Sequence, residues 1–197
     1  MSPTTFFLSA APAATAATVL FFPVILQAAA VAACAERVQV ECRPENGALA
    51  YYVDGEAPGA RIRTPEINAH ASPVATVKAV RDRITALLRG MTRYGDLVVE
   101  GRDITTVVFP DSPARFYLTA SPEARARRRQ LEEVATGVAN QSAEAVKASL
   151  LARDAIDSTR AYAPLRKADG VLEIDSTQLT LDQVVETVLD ALPAGWR

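Results

Sequence analysis

Three short apolar runs, the second and third each followed by a helical stretch, constrain this chain more than any other feature. Leu97-Val98-Val99 is unbroken by polar residues, as is typical of a strand buried on both faces. Arg115–Thr119 (RFYLT) and Val171–Ile174 read the same way, and the stretches opening at Ser121-Pro122-Glu123 and at Thr180 have helical spacing. Strands alternating with helices predict a parallel sheet flanked by helices, an α/β fold. At 197 residues the chain is long enough for one domain with a sizeable core.

The final helix is predicted from Thr180, with Gln183 three residues on as a capping box and Val184, Val185, Val188, Leu189 and Leu192 as its apolar positions. Residues 140–157 form a further predicted helix. Upstream, Ser72 as N-cap and Pro73 at the first helical position predict a helix over 73–91, with Val74, Val77, Val80, Ile84, Leu87, Leu88 and Met91 on its apolar arc. Residues 38–42 and 49–53 are two short strands joined by a turn over Pro44–Gly47; Asp54-Gly55 makes the next turn, and Ala60–Thr64 is a candidate third strand. From about Gln27, an Ala-rich helix leads into the first of these strands.

The front of the chain differs from the rest. No charged side chain occurs before Glu36, and the segment is rich in Ala and Thr with prolines at 3, 12 and 23. A secretory signal needs a basic region ahead of its apolar stretch, and no Lys or Arg precedes Arg37. A membrane span would need roughly 20 apolar residues, and Pro23 interrupts this one. Residues 1–27 are therefore an atypical uncharged segment: a displaced reading frame or start, a native replacement, or an apolar anchor. Translation of the upstream DNA separates the first of these from the others.

Composition excludes several classes of function. A net charge of −2 argues against a general nucleic-acid binder, and two cysteines with one histidine cannot build a disulfide framework or a Cys/His zinc site. A reducing, cytoplasmic setting follows. Of the 21 basic residues only Lys78, Lys147 and Lys167 are lysine. Arginine dominance reads either as genome composition or as planar forks for phosphate and carboxylate, and position has to decide.

Four places put arginine where chemistry could use it. Glu100-Gly101-Arg102-Asp103 lies just past the carboxyl end of a predicted strand, where open α/β sheets bind ligands; it reads equally as a solvated turn. Arg81 falls inside the apolar arc of its helix beside Val77 and Leu88, so it snorkels, pairs with an internal Asp, or holds an anion. Arg153, Asp157 and Arg160, spaced by four and three, share one helical face, as a surface ion pair or as a pair of forks around one carboxylate. Arg125, Arg127, Arg128 and Arg129 either line a solvated face or close over a polyphosphate.

Taken in order, seven stretches of the chain resemble bacterial cytidylate kinase, of the nucleoside monophosphate kinase group. They are Tyr52–Glu56 (YVDGE), Ile62–Glu66 (IRTPE), Ala71–Arg81 (ASPVATVKAVR), Glu100–Pro113 (EGRDITTVVFPDSP), Phe116–Arg129 (FYLTASPEARARRR), Arg153–Leu165 (RDAIDSTRAYAPL) and Val171–Thr177 (VLEIDST). The resemblance implies a P-loop kinase-like parallel sheet flanked by helices, over residues 28–192, with a small CMP-binding insert at 38–90 and a lid region at 120–150. It implies transfer of the ATP γ-phosphoryl to CMP or dCMP, with ATP as co-substrate and Mg²⁺, by a monomer that engages neither nucleic acid nor membrane. Arg63, Ser72, Arg81, Arg102, Asp103, Arg153, Asp157 and Arg160 would hold the monophosphate, with Ser72 and Asp157 on cytosine. Arg102 and Asp103 would be catalytic with Arg128, the lid arginine on ATP, helped by Arg125 and Arg129; no protein metal ligand is implied.

Two departures stand out. The family has Asp-Gly-Arg-Asp, an apolar residue, Gly and Thr, where this chain has Glu100 for the first Asp and Thr105 for the Gly. No G-x-x-x-x-G-K-[ST] occurs, and no lysine follows any glycine, so the loop that cradles ATP phosphates is missing or replaced. Its strand is expected to be missing with it, leaving an unpaired sheet edge. The alternative reading is a non-catalytic or degenerate CMP-binding remnant.

Overall fold

A computed structural model describes residues 6–9, 28–136 and 142–196, with backbone alone at 6–9, at Arg63 and at Thr136. Apart from Phe6–Ser9, the uncharged front segment lies outside the described residues. So do positions 137–141, within the expected lid region and at the expected start of the helix over 140–157. The chain divides into two compact units, Met1–Ile104 with Ile156–Leu165, and Thr105–Ala155 with Arg166–Arg197.

In the first unit strand β1 (Phe6–Ser9) precedes helix α1 (Ala28–Arg37), whose alanines are the strongest helix formers. Strands β2 (Val40–Glu45) and β3 (Ala48–Val53) follow as an antiparallel hairpin. Its turn is Asn46-Gly47, both at positive φ (49° and 78°), which Asn and Gly tolerate and which matches the strand twist; β2 thus runs through Pro44 and Glu45. Asp54-Gly55 repeats the device at 50° and 83°.

The candidate strand at 60–64 is instead a 3₁₀ turn, Gly59–Arg63. Helix α2 (Pro65–Val74) begins after it, with Thr64 as N-cap accepting from Ile67 N at 3.3 Å and Pro65 at the first helical position. The Ser-Pro start expected at 72–73 is thereby overturned. The same grammar occurs eight residues earlier, and Ser72 and Pro73 form the last turn of α2, with Ser72 buried. The chain then breaks at Ala75–Val77, and helix α3 (Lys78–Gly90) starts from Val77 as N-cap. Val31 and Ala35 of α1 pack with Val74, Val77, Val80 and Ile84 as a core. The Arg83 guanidinium fastens α3 to α1 by donating to the carbonyls of Ala35 and Val38.

Strand β4 (Leu97–Glu100) completes the unit's sheet, ordered β2-β3-β1-β4. β1 runs parallel to β4, pairing Phe6 with Leu97 through Ser9 with Glu100, and parallel to β3. A strand therefore stands where a gap was expected, and the predicted unpaired edge is filled. The hairpin joins the parallel strands in one mixed sheet.

In the second unit β5 (Phe116–Thr119) pairs in parallel with β6 (Leu172–Asp175), from Phe116 with Leu172 to Thr119 with Asp175. The single parallel sheet expected from the sequence is thus two sheets. Val98, Leu118 and Leu172 are about half-exposed, so these strands are not buried on both faces. Helix α4 (Pro122–Thr136) starts with Ser121 Oγ accepting from Ala124 N at 3.2 Å, and α5 (Ala143–Thr159) with Ser142 Oγ accepting from Ala145 N at 3.2 Å.

Helix α6 (Leu181–Asp190) carries the predicted capping box: Thr180 Oγ1 accepts from Gln183 N at 3.3 Å and Gln183 Oε1 from Thr180 N at 2.9 Å. None of its residues is buried, contrary to the packed helix its apolar spacing suggests. With so little packing the cap matters more than usual. Thr180→Ala is expected to destabilise α6 by about 1 kcal/mol. Amide exchange across 181–190 would accelerate while exchange in β5 and β6 stays unchanged.

Candidate active site

Two sequence positions that look unsuited to their surroundings begin the site. Arg81 extends from the first turn of α3, its side chain only 13% exposed, and pairs with Asp103, whose side chain is 4% exposed. Asp103 follows Arg102 in the loop after β4. Arg102 reaches Asp157 (Nε to Oδ2, 3.4 Å), near the C-terminal end of α5. Arg160, just past that helix end, reaches the other oxygen of the same carboxylate (Nη1 to Oδ1, 3.3 Å) and donates from Nε to the Ala163 carbonyl at 2.6 Å. All five residues belong to the first unit.

Electrostatics gives this cluster a sign. Three guanidinium groups face two carboxylates, an excess of one positive charge among side chains that are buried or nearly so, the partly exposed Arg102 excepted. Burial pushes the Arg160 pKa below its ordinary value, and Arg81 and Arg102 push it further; Asp157 and Asp103 only partly oppose them. Two buried N–H groups, Arg81 Nε and Arg160 Nη2, have no hydrogen-bond partner among the described residues. Buried donors without acceptors are rare and costly. An anion with several oxygens would satisfy both and neutralise the excess charge.

The structure thus brings together Arg81, Arg102, Asp103, Asp157 and Arg160. Ser72 is buried inside α2. Arg63 closes the 3₁₀ turn, its side chain outside the described part, and Arg153, half-buried on α5, belongs to the second unit. The three candidate lid arginines of α4 all have protein partners. Arg125 pairs with Asp154, and Arg129 with Glu132 and Glu133. Arg128 binds Ser176 Oγ at 2.9 Å, the Ser176 carbonyl at 2.5 Å and the Leu179 carbonyl at 3.2 Å. Ser176 was not singled out from sequence; its hydroxyl also donates to the Thr119 carbonyl at 2.9 Å, joining β5 to the loop after β6. Its place inside the VLEIDST stretch, Val171–Thr177, is the one signal that points toward it.

Thr105, in place of the family glycine, sits in a π-helical turn over Ile104–Val108 and not at positive φ. Any residue adopts that backbone, so the substitution brings no strain there.

Comparison with known proteins turns on the same stretches. The sequence model of one family, described as cytidylate kinase, matches residues 15–194. The chain belongs to the cytidylate kinase family. The family match begins at residue 15, inside the uncharged segment and ahead of the first quoted motif. Among curated relatives, the cytidylate kinase of Mycolicibacterium paratuberculosis is 42% identical over 169 residues, covering 85% of this chain and 73% of the relative. That of Streptomyces griseus is 48% identical over 139 residues, 70% of this chain and 58% of the relative. That of Geobacter sulfurreducens is 45% identical over 141 residues, 72% of this chain and 60% of the relative. The chain therefore spans between about three-fifths and three-quarters of the length of these family members.

Proposed function

We propose that the chain binds CMP or dCMP and, as a nucleoside monophosphate kinase, transfers the ATP γ-phosphoryl to the phosphate of that nucleotide, giving CDP or dCDP and releasing ADP. The observation that carries this reading is the cluster of three arginines and two aspartates, buried except at Arg102, with Arg81 Nε and Arg160 Nη2 left without acceptors among the described residues. Planar guanidinium forks suit the non-bridging oxygens of a phosphate monoester. Held there, the acceptor phosphate is oriented and its charge offset, which lowers the repulsion met by an anionic attacking oxygen. Asp103 and Asp157 hold the forks in place, and the carboxylates limit how much excess charge the site carries while empty. Arg63 and Ser72 complete the nucleotide site in this reading, with Ser72 and Asp157 on the base.

On the ATP side, Arg125, Arg128 and Arg129 would have to exchange their protein partners for phosphate oxygens. No group of three His, Cys, Asp or Glu side chains suited to a metal stands among the described residues. Mg²⁺ in this reading arrives with the ATP phosphates, as is common for this ion. The reading places the protein in the cytoplasm as a monomer. No described helix is long and apolar enough to cross a membrane.

A second reading rests on the sequence itself: without G-x-x-x-x-G-K-[ST], the chain is a CMP binder that does not turn over. Calorimetric titration with CMP and with ATP, followed by an assay for CDP, separates the readings. One-site CMP binding that weakens with added salt is expected of both. CDP formation supports the kinase, CMP binding without CDP supports the non-catalytic binder, and no CMP binding overturns both.

A further inference from the structure

We infer that Ala163 is a positioning residue: its left-handed backbone turns its carbonyl onto Arg160 Nε and so aims the rest of that guanidinium at the bound anion. The inference rests on the proposed monophosphate reading of the site. Ala163 has φ of +50°, a region that L side chains rarely adopt, and it precedes Pro164, which favours extended backbone at the residue before it. Neither residue type asks for this conformation, so the surrounding contacts impose it. The loop folds back on the end of α5, with Leu165 N donating to the Asp157 carbonyl at 2.8 Å and Arg160 N to the Ile156 carbonyl at 3.1 Å.

The consequence appears in the donors of Arg160, whose side chain is 1% exposed. Nε is held by the Ala163 carbonyl at 2.6 Å and Nη1 by Asp157 at 3.3 Å. Those two acceptors fix the guanidinium plane. Nη2 remains buried without a partner among the described residues. A planar group held at two of its nitrogens has one orientation, so the third donor is aimed before the ligand arrives. Preorganisation of this kind improves affinity by removing an ordering cost.

Ala163→Gly, which adopts positive φ freely, is expected to keep CMP affinity within about twofold. Ala163→Val, whose branched side chain resists that conformation, is expected to weaken CMP binding about tenfold or more, and inorganic phosphate in proportion. Thermal unfolding of each variant reports whether it is folded. The Arg160 Nε–H resonance, identified by its loss in Arg160→Lys, supplies a readout independent of the valine variant: in the ligand-free wild type it is expected to be protected from solvent exchange. Wild-type affinity in a folded Ala163→Val, or an Nε–H that exchanges freely, overturns the inference. A wild-type chain that fails to bind CMP overturns the functional reading instead.

Discussion

Asp157→Ala is expected to destabilise the chain by about 3–5 kcal/mol, the range for removing one partner of a buried ion pair. The Asp157 side chain is 5% exposed and serves two guanidinium groups, Arg102 at 3.4 Å and Arg160 at 3.3 Å. Its removal leaves Arg160 buried beside Arg81 and Arg102 with one carboxylate among the three. Water cannot replace the lost acceptor without opening the cluster. Asp157→Asn keeps an oxygen acceptor and should lose less, though its neutral amide leaves the charge excess larger. The exposed pair of Lys167 and Glu173 is the contrast: Glu173→Ala should change stability by less than about 1 kcal/mol. Urea unfolding midpoints at constant slope test the comparison. A loss from Asp157→Ala no larger than that from Glu173→Ala would mean the cluster is not a dry charge network.

The fold was legible wherever its signal fits inside one turn of chain. Asn46-Gly47 and Asp54-Gly55 announce positive φ, and Ser121-Pro122 and Thr180 with Gln183 announce helix starts; all four are formed. The helix around Ser72 was misplaced because Thr64-Pro65 and Ser72-Pro73 carry the same start signal. Choosing between them depends on tertiary burial, since Ala71, Ser72 and Val74 are inside the structure while Val77 ends up as a cap. Phe6–Ser9 gave no periodic signal at all. It is a strand through pairing with β3 and β4, whose residues lie some forty to ninety positions away in sequence.

Half of the site's logic was local and half was not. Arg81 could be read from the helical wheel, because a cation on an apolar arc needs a partner wherever the helix is placed. That its partner is Asp103, from the loop after β4, no spacing rule contains. Arg153, Asp157 and Arg160 were expected on one helical face, yet α5 ends at Thr159. Arg160 reaches Asp157 from outside the helix, through a loop whose conformation at Ala163 departs from residue preference. The α4 arginines read from sequence either as a solvated face or as a clasp on a polyphosphate. Neither reading names the partners that engage them: Asp154 for Arg125, Ser176 and Leu179 for Arg128, Glu132 and Glu133 for Arg129.

The largest expected effect on ligand binding is that of Arg81. Arg81→Ala removes the buried Nε–H that has no acceptor among the described residues and the guanidinium that balances Asp103. Hydrogen bonds to charged groups are worth about 1.5–3 kcal/mol each, and about 1.4 kcal/mol is tenfold in affinity. Loss of this contact should therefore weaken CMP binding by about ten- to a hundredfold. Because Ala also strands the Asp103 carboxylate, stability falls in the same variant and clouds the comparison. Arg81→Lys separates the two. A lysine keeps a cation near Asp103 but offers a point charge in place of a planar fork. It is expected to unfold close to the wild type while binding CMP about tenfold more weakly. Salt should then matter more than geometry, because a point charge attracts phosphate without fixing it. A lysine variant that binds CMP as the wild type does would show that charge alone suffices at this position, and the fork argument for the whole cluster would fail with it.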